Sequence, residues 1–396
     1  MTQDDGESIG TFEPLMVSEG SSHRSALNDL ALELAEKSAA FRSSLPPSTA
    51  IALSDLVRAM NCYYSNLIEG HNTHPIDIER ALENDYSADP KKRDLQLEAK
   101  AHITVQKWID DGGMEESPTA PASIIEMHRR FCELMPEDLL WVEYPNSGER
   151  VKVVPGALRD RYVEVGRHVA VSPGAVPRFL DRMHQAYGRA GRIESILAAA
   201  CAHHRLLWVH PFLDGNGRVA RLMSYAMLRG ALDTHGLWSV ARGLARQEKV
   251  YKSHLEACDG PRRGDRDGRG TLSEAALASF TEFFLRVSID QVEFMSALMQ
   301  ADRLRDRIMI WAEEEIRAGA LPQKSDIVLK AVLFQGVLER GEVEPMLGMS
   351  ERAARRITSA LLKAGALRSE STRAPLQLAF PAKYAHRWMP GLFPEG

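Results

Sequence analysis

Absences bound this chain before any motif is read. Its 396 residues hold only four cysteines, Cys62, Cys132, Cys201 and Cys258, widely separated and without a Cys-x-x-Cys pair. That usage fits a reducing cytoplasm and supplies neither a disulfide framework nor a zinc site. No apolar run approaches the roughly 20 residues that a membrane helix needs. The acidic start, Met-Thr-Gln-Asp-Asp-Gly-Glu, lacks the basic-then-apolar layout of a secretory signal. The expectation is a cytoplasmic protein with no membrane partner. A net charge of −5 argues against a surface that binds nucleic acid all over, while leaving room for a local basic patch. Internal repeats are missing, and so is any Gly-x-x-x-x-Gly-Lys-Ser/Thr phosphate loop.

What is present is a globular composition, 44% hydrophobic and 26% charged, in a chain long enough for two or three domains. The most informative stretch is His210-Pro-Phe-Leu-Asp-Gly-Asn-Gly-Arg-Val-Ala-Arg221. It gathers a base, a carboxylate able to ligate a metal, a glycine-flanked turn and two arginines. Apolar helical spacing resumes at once through Val219, Leu222, Met223, Tyr225 and Ala226. The turn therefore lies just ahead of a helix N-terminus, where free N–H groups and the helix dipole favour an anion. Gly-x-Gly alone would sooner describe an ordinary tight turn that caps a helix, with its arginines solvated. Gly215-x-Gly217-x-x-Ala220 also fits a loose dinucleotide pattern, but Ile196, Leu197, Ala200, His203, His204 and Leu207 precede it at helical rather than strand spacing. His203 and His210 are seven apart, about 10 Å along a helix, too far to share one ion.

The stretch resembles the signature of Fic (Fido) domains, His-Pro-Phe-x-Asp/Glu-Gly-Asn-Gly-Arg-x-x-Arg, at every specified position. The resemblance extends over roughly residues 50–290 and implies transfer of AMP from ATP to a Ser, Thr or Tyr hydroxyl of a protein. In such an enzyme His210 is the base that accepts the hydroxyl proton, and Asp214 holds Mg²⁺ through one hard oxygen. Gly215, Asn216 and Gly217 form an anion cradle, Asn216 adding a side-chain donor. Arg218 and Arg221, three apart on a helix face, reach the β- and γ-phosphates. His204 is expected to be a packed or orienting residue.

Upstream, Ser65-Asn-Leu-Ile-Glu69-Gly70 resembles the family's inhibitory motif, although an ordinary surface glutamate fits the six residues as well. Ser65 and Glu69 stand at i and i+4 on one helix face, and Gly70 ends that helix. By resemblance, Glu69 pairs with Arg221 and takes the space of the γ-phosphate. In some relatives the same glutamate is thought to assist removal of AMP, so a reverse, hydrolytic activity stays open.

Arg161–Val165 and Val169–Val171 read as two short strands around Gly166-Arg167-His168. In this family a hairpin flap covers the nucleotide and pairs by its open edge with the target's backbone. Gly166, Arg167, His168 and Val169 are then nucleotide contacts, and Tyr251 stands where relatives line the adenine pocket. Without the resemblance, a plain hairpin fits the sequence equally.

Along the chain we expect a mobile tail over 1–25 and a helical region over 26–115 that carries the inhibitory helix at about 50–70. A catalytic core follows over 120–290, with helices at 122–135, 176–190 and 194–208. Residues 259–270 read as a solvated, disordered charged loop, and 272–318 as helix. From 320 to 396, helices at 325–338, 343–347 and 351–364, the last capped by Ser350, precede strands at 366–368 and 376–380. This layout resembles a winged helix-turn-helix. Arg352, Arg355, Arg356 and Lys363 on its third helix would face a nucleic-acid groove or phosphates. The fold class expected is thus mainly α, a Fic-type helical core with a β-hairpin flap plus a C-terminal α+β winged helix. The implied partners are ATP with Mg²⁺ and a protein substrate. Self-modification, DNA and a homodimer stay open. The rival reading is a nucleotide-sensing, DNA-binding regulator with little turnover.

Overall fold

The structure, a computed structural model, describes residues 2–144, 148–188 and 191–394. It is mainly helical, as the sequence implies. Helix α1 spans Arg24–Ser43. The next four, α2 (Pro47–Ile68), α3 (Pro75–Leu82), α4 (Pro90–Asp110) and α5 (Pro121–Glu133), each begin on a proline. Its fixed φ and missing N–H suit the first helical position. Two antiparallel hairpins follow. The first, β1 (Trp141–Glu143) with β2 (Arg150–Lys152), was not anticipated. The second, β3 (Glu164–Val165) with β4 (His168–Val169), is the flap, shorter than the strands expected over 161–165 and 169–171.

Helices α6 (Val176–Tyr187), α7 (Arg192–Val209) and α8 (Asn216–Leu232) come next, then α9 (Ala241–Arg246), α10 (Glu248–Cys258) and α11 (Glu274–Leu298). The end of the helix expected over 176–190 falls outside the described residues. Helix α6 buries Val176, Phe179, Leu180, Met183 and Tyr187, the i, i+3, i+4, i+7 stripe of a core-facing helix. Helices α7 and α8 are buried almost all round, which places the turn between them at the centre of the fold.

The span expected as helix from 272 to 318 is two helices, α11 and α12 (Ala301–Arg317). Helix α13 (Ser325–Gln335) stops three residues short of the expected 338, because Gly336 at φ +78° turns the chain into strand β5 (Val337–Leu338). Then come α14 (Arg340–Leu347), α15 (Glu351–Lys363), β6 (Leu367–Arg368), β7 (Leu376–Leu378) and α16 (Ala385–Trp388). The strands form one antiparallel sheet in the order β5-β7-β6. Ser350 stands at the N-cap of α15, but its side chain makes no capping bond.

The chain divides into two compact units, one of Met1–Ala39 with Asn61–Val292 and one of Ala40–Met60 with Glu293–Gly396. This partition differs from the expected boundaries, since residues 40–60 and 293–319 join the C-terminal unit. The first part of α2 is fastened there, Ser48 donating to the carbonyl of Gly336 and Arg368 to Asp55.

Two segments expected to be mobile are ordered within the larger unit. Residues 2–23 are not a free tail: Phe12 is fully buried against Phe179 and Trp208, a burial that stabilises by about 1.5–3 kcal/mol. Glu7 accepts from the backbone and hydroxyl of Ser172, and Arg182 bonds Glu13. The charged loop at 259–270 is held by Asp267, which accepts from the amides of Arg263 and Ala275. Gly270 there packs so closely on the Glu13 carbonyl that a Cβ would lie 2.2 Å from its oxygen. The expectation of disorder rested on missing apolar residues, whereas backbone hydrogen bonds hold this loop.

Candidate active site

Helix α7 ends at His210, whose backbone takes the left-handed conformation at φ +50°. A non-glycine residue in that region costs on the order of 1–2 kcal/mol and persists only when its surroundings enforce it. They do here. Arg159, on the chain leading into the flap, donates through Nε to the His210 carbonyl at 2.7 Å, and its own backbone N–H donates to Pro211 O at 2.9 Å. The imidazole Nδ1 lies 3.3 Å from the carbonyl of Leu207. A carbonyl can only accept, so Nδ1 carries the hydrogen and Nε2 keeps its lone pair. Burial, helped by the nearby Arg159 charge, lowers the pKa of His210 to about 4. The ring is neutral at pH 7, as a base must be.

After His210, Phe212 is fully buried and stacks on His128 at 3.8 Å. The Phe212 N–H donates to Asn216 Oδ1 at 3.0 Å, and Asn216 Nδ2 donates back to the Phe212 carbonyl at 2.9 Å. The Asn216 amide thus closes the turn through its oxygen and one of its two N–H groups. Gly215 sits at φ +81° directly before α8, and no side chain caps that helix. The first N–H groups of α8 are thus presented to whatever lies above them.

What lies there is Glu69. A Cβ on Gly217 would sit 2.3 Å from Glu69 Oε1, so the missing side chain is what lets the carboxylate approach the helix end. Glu69 follows α2, where Gly70 at φ +85° and a bond from the His71 amide to Asn66 O turn the chain. Glu69 Oε1 accepts from Arg221 Nη2 at 2.5 Å, while Ser65 takes Arg221 Nε on its hydroxyl at 2.8 Å and Nη2 on its carbonyl at 3.0 Å. Burial by itself would raise the Glu69 pKa, but the charges of Arg221 and Arg218 outweigh it and hold the carboxyl below its ordinary range.

Both signature arginines are buried and already engaged. Arg218 donates to Glu98 and, at 3.1 Å, to Asp214 Oδ2, with its guanidinium 5.1 Å above the Phe131 ring. Glu98, wholly buried on α4, also bonds His71 at 2.6 Å. Sequence reasoning missed Glu98. The signal was its place on the stripe of Ala101, His102, Val105 and Ile109, where a lone charge requires a partner. Asp214 is half-exposed and offers the single hard oxygen that would suit Mg²⁺ completed by water and phosphate oxygens.

The flap lies against the end of α7, which leads into this turn. Gly166 and Arg167 form its two-residue tip, Arg167 is nearly fully exposed, and Val165 and Val169 are exposed as well. His168 turns inward instead, Nε2 lying 2.7 Å from the Trp208 carbonyl. Tyr251, expected against an adenine ring, is 2% exposed and its hydroxyl lies 2.6 Å from His203 Nε2. That phenol packs behind the site. His204 is also packed, against Asp259 at 2.9 Å.

Residues 118–228 match the model of the Fic/DOC family. A curated relative, protein adenylyltransferase Fic of Drosophila willistoni, is 28% identical over 173 residues, 43% of this chain and 31% of that protein. The same enzyme of Drosophila grimshawi is 27% identical over 171 residues, 43% of this chain and 32% of that protein. The chain thus spans about a third of the length of these relatives. Among solved structures, a Fic family protein from Desulfovibrio desulfuricans G20 has a TM-score of 0.51 at 16% identity, covering 89% of this chain and 96% of that one. Fic-1 of C. elegans has a TM-score of 0.51 at 19% identity, covering 70% and 74%. At such identities the likeness establishes a shared fold. Signature, turn geometry and family match agree: the chain carries a Fic/DOC domain.

Proposed function

We propose that this protein is a protein adenylyltransferase, moving AMP from ATP onto a Ser, Thr or Tyr hydroxyl, and that Glu69 restrains it. The observation that carries this reading is the seat of the Glu69 carboxylate. An acidic group already occupies the N-terminal end of α8 against Gly217 and Arg221, so the place is built for anionic oxygens. With Glu69 withdrawn, the β- and γ-phosphates would take its position against the α8 amides and Arg221. Arg218, steadied by Glu98, would orient Asp214. Mg²⁺ held by Asp214 would neutralise charge on the departing phosphates.

His210 Nε2 then takes the proton of the attacking hydroxyl. That oxygen bonds to the α-phosphorus, the bond to the β-phosphate oxygen breaks, and pyrophosphate leaves. The exposed edge of the flap, with Val165 and Val169, would pair with the backbone of the target. Gly166 and Arg167, at the flap tip, would close over the nucleotide. The test is mass spectrometry of Glu69→Gly protein incubated with ATP and Mg²⁺, where one covalent AMP is expected and its absence refutes the reading.

A second function of the C-terminal unit is favoured by one feature. Arg352, Arg355, Arg356 and Lys363 all lie exposed on α15, beside the small β5-β7-β6 sheet. Such an arrangement would suit a winged helix that meets DNA phosphates. Binding to random duplex should weaken steeply with salt, and no binding at low ionic strength excludes it.

A further inference from the structure

Resting on the reading of His210 as the base, we propose that Arg159 is the positioning residue that fastens the His210 turn to the flap. Base and target-pairing edge then keep one geometry. Arg159 is 1% exposed, and its guanidinium is satisfied by backbone alone. Nε donates to His210 O at 2.7 Å, Nη1 to Arg161 O at 2.8 Å, and Nη2 to Val171 O and, at 3.3 Å, to Val209 O. These carbonyls belong to both legs of the flap and to the end of α7.

The choice of arginine has a physical reason. Only a planar fork with five donors serves carbonyls on several sides at once, while a lysine has three donors on one atom. Each joined part also needs the support. The flap ladder pairs Glu164 with Val169 and Val165 with His168, extended by one bond from the Ala170 N–H to Val163 O, still too little for a hairpin to hold itself in water. The left-handed backbone of His210 likewise stands only while its neighbours enforce it. One buried cation meets both needs, so displacement of a flap leg is felt at the carbonyl of the catalytic residue.

The experiment uses the full chain carrying Glu69→Gly, with Arg159→Lys and Arg159→Gln added singly. Amide hydrogen exchange is followed on peptides 161–171 and 207–217, with 276–292 of α11 as control. Both site peptides are expected to exchange about tenfold faster together, the control staying unchanged. Incorporation of AMP should lose kcat by a similar factor at constant KM for ATP, with lysine recovering part. Faster exchange in one site peptide alone, equal acceleration in all three, or a raised KM at constant kcat overturns the proposal. If coupled exchange is seen but the Glu69→Gly parent incorporates no AMP, the fastening role stands and the transferase reading falls. Should both variants fail to fold, native-state exchange of the unsubstituted chain in rising urea decides. A single opening shared by the two site peptides supports the link, and separate openings refute it.

Discussion

Replacing Glu69 by glycine is the perturbation with the clearest expected size. Its carboxylate accepts one charged hydrogen bond from Arg221, at 2.5 Å, and its side chain is 30% exposed. A hydrogen bond to a charged group is worth about 1.5–3 kcal/mol, and partial exposure keeps it from reaching the cost of a fully buried pair. If that contact is what ATP phosphates must displace, its removal should raise AMP incorporation roughly ten- to hundredfold, since 1.4 kcal/mol is a factor of ten. Arg221 keeps both bonds to Ser65 in the variant, so the site should stay formed. Labelled AMP transferred at Mg-ATP well below KM measures the effect, because saturating nucleotide would displace the glutamate in either protein. Glu69→Gln, which keeps the shape and loses the charge, should fall between the two. An unchanged rate for Glu69→Gly under those conditions would refute the reasoning.

Three other outcomes follow from the geometry. His210→Ala should abolish AMP transfer while leaving nucleotide affinity, by calorimetry in the Glu69→Gly background, within about threefold, because the phosphates bind elsewhere in the turn. The acid limb of kcat/KM should fall near pH 4 rather than 6.5, since burial holds His210 neutral down to about 4. Glu98→Ala strands the buried Arg218 with Asp214 alone and should destabilise by about 3–5 kcal/mol in denaturant unfolding, whereas the exposed Arg167→Ala should change stability by less than about 0.5 kcal/mol.

Acid stability supplies another measurement. Burial lowers His102 and His203 to about 3 and His128, His204 and His210 to about 4. Between those values and the ordinary 6.5 the unfolded chain binds more protons than the folded one. Stability is therefore full above about pH 6.5 and declines on acidification, each imidazole contributing up to about 1.4 kcal/mol per pH unit. A urea midpoint unchanged from pH 7 to pH 4.5 would contradict these burials.

Local chemistry made much of this molecule legible in sequence. The helix-turn-helix around residues 210–221 and the Ser65–Glu69 face could be read because each depends on residues a few positions apart. Failures arose where distant partners decide. Tyr251 reads as a pocket wall until it is found buried with His203, 48 positions away, on its hydroxyl. The first 23 residues read as tail because they are polar and rich in glycine and serine, yet Phe12, Leu15 and Val17 among them are buried. Glu98 and Arg159 escaped notice because a buried charge betrays itself only through partners remote in sequence.

The central claim is that the end of α8 covered by Glu69 is a phosphate seat facing His210. A crystal structure of the Glu69→Gly protein with Mg²⁺ and a non-hydrolysable ATP analogue tests it most directly. The account predicts terminal phosphates against Gly217 and Arg221, with the α-phosphorus beside His210 Nε2. A nucleotide bound elsewhere, or an α-phosphate turned away from His210, would contradict it.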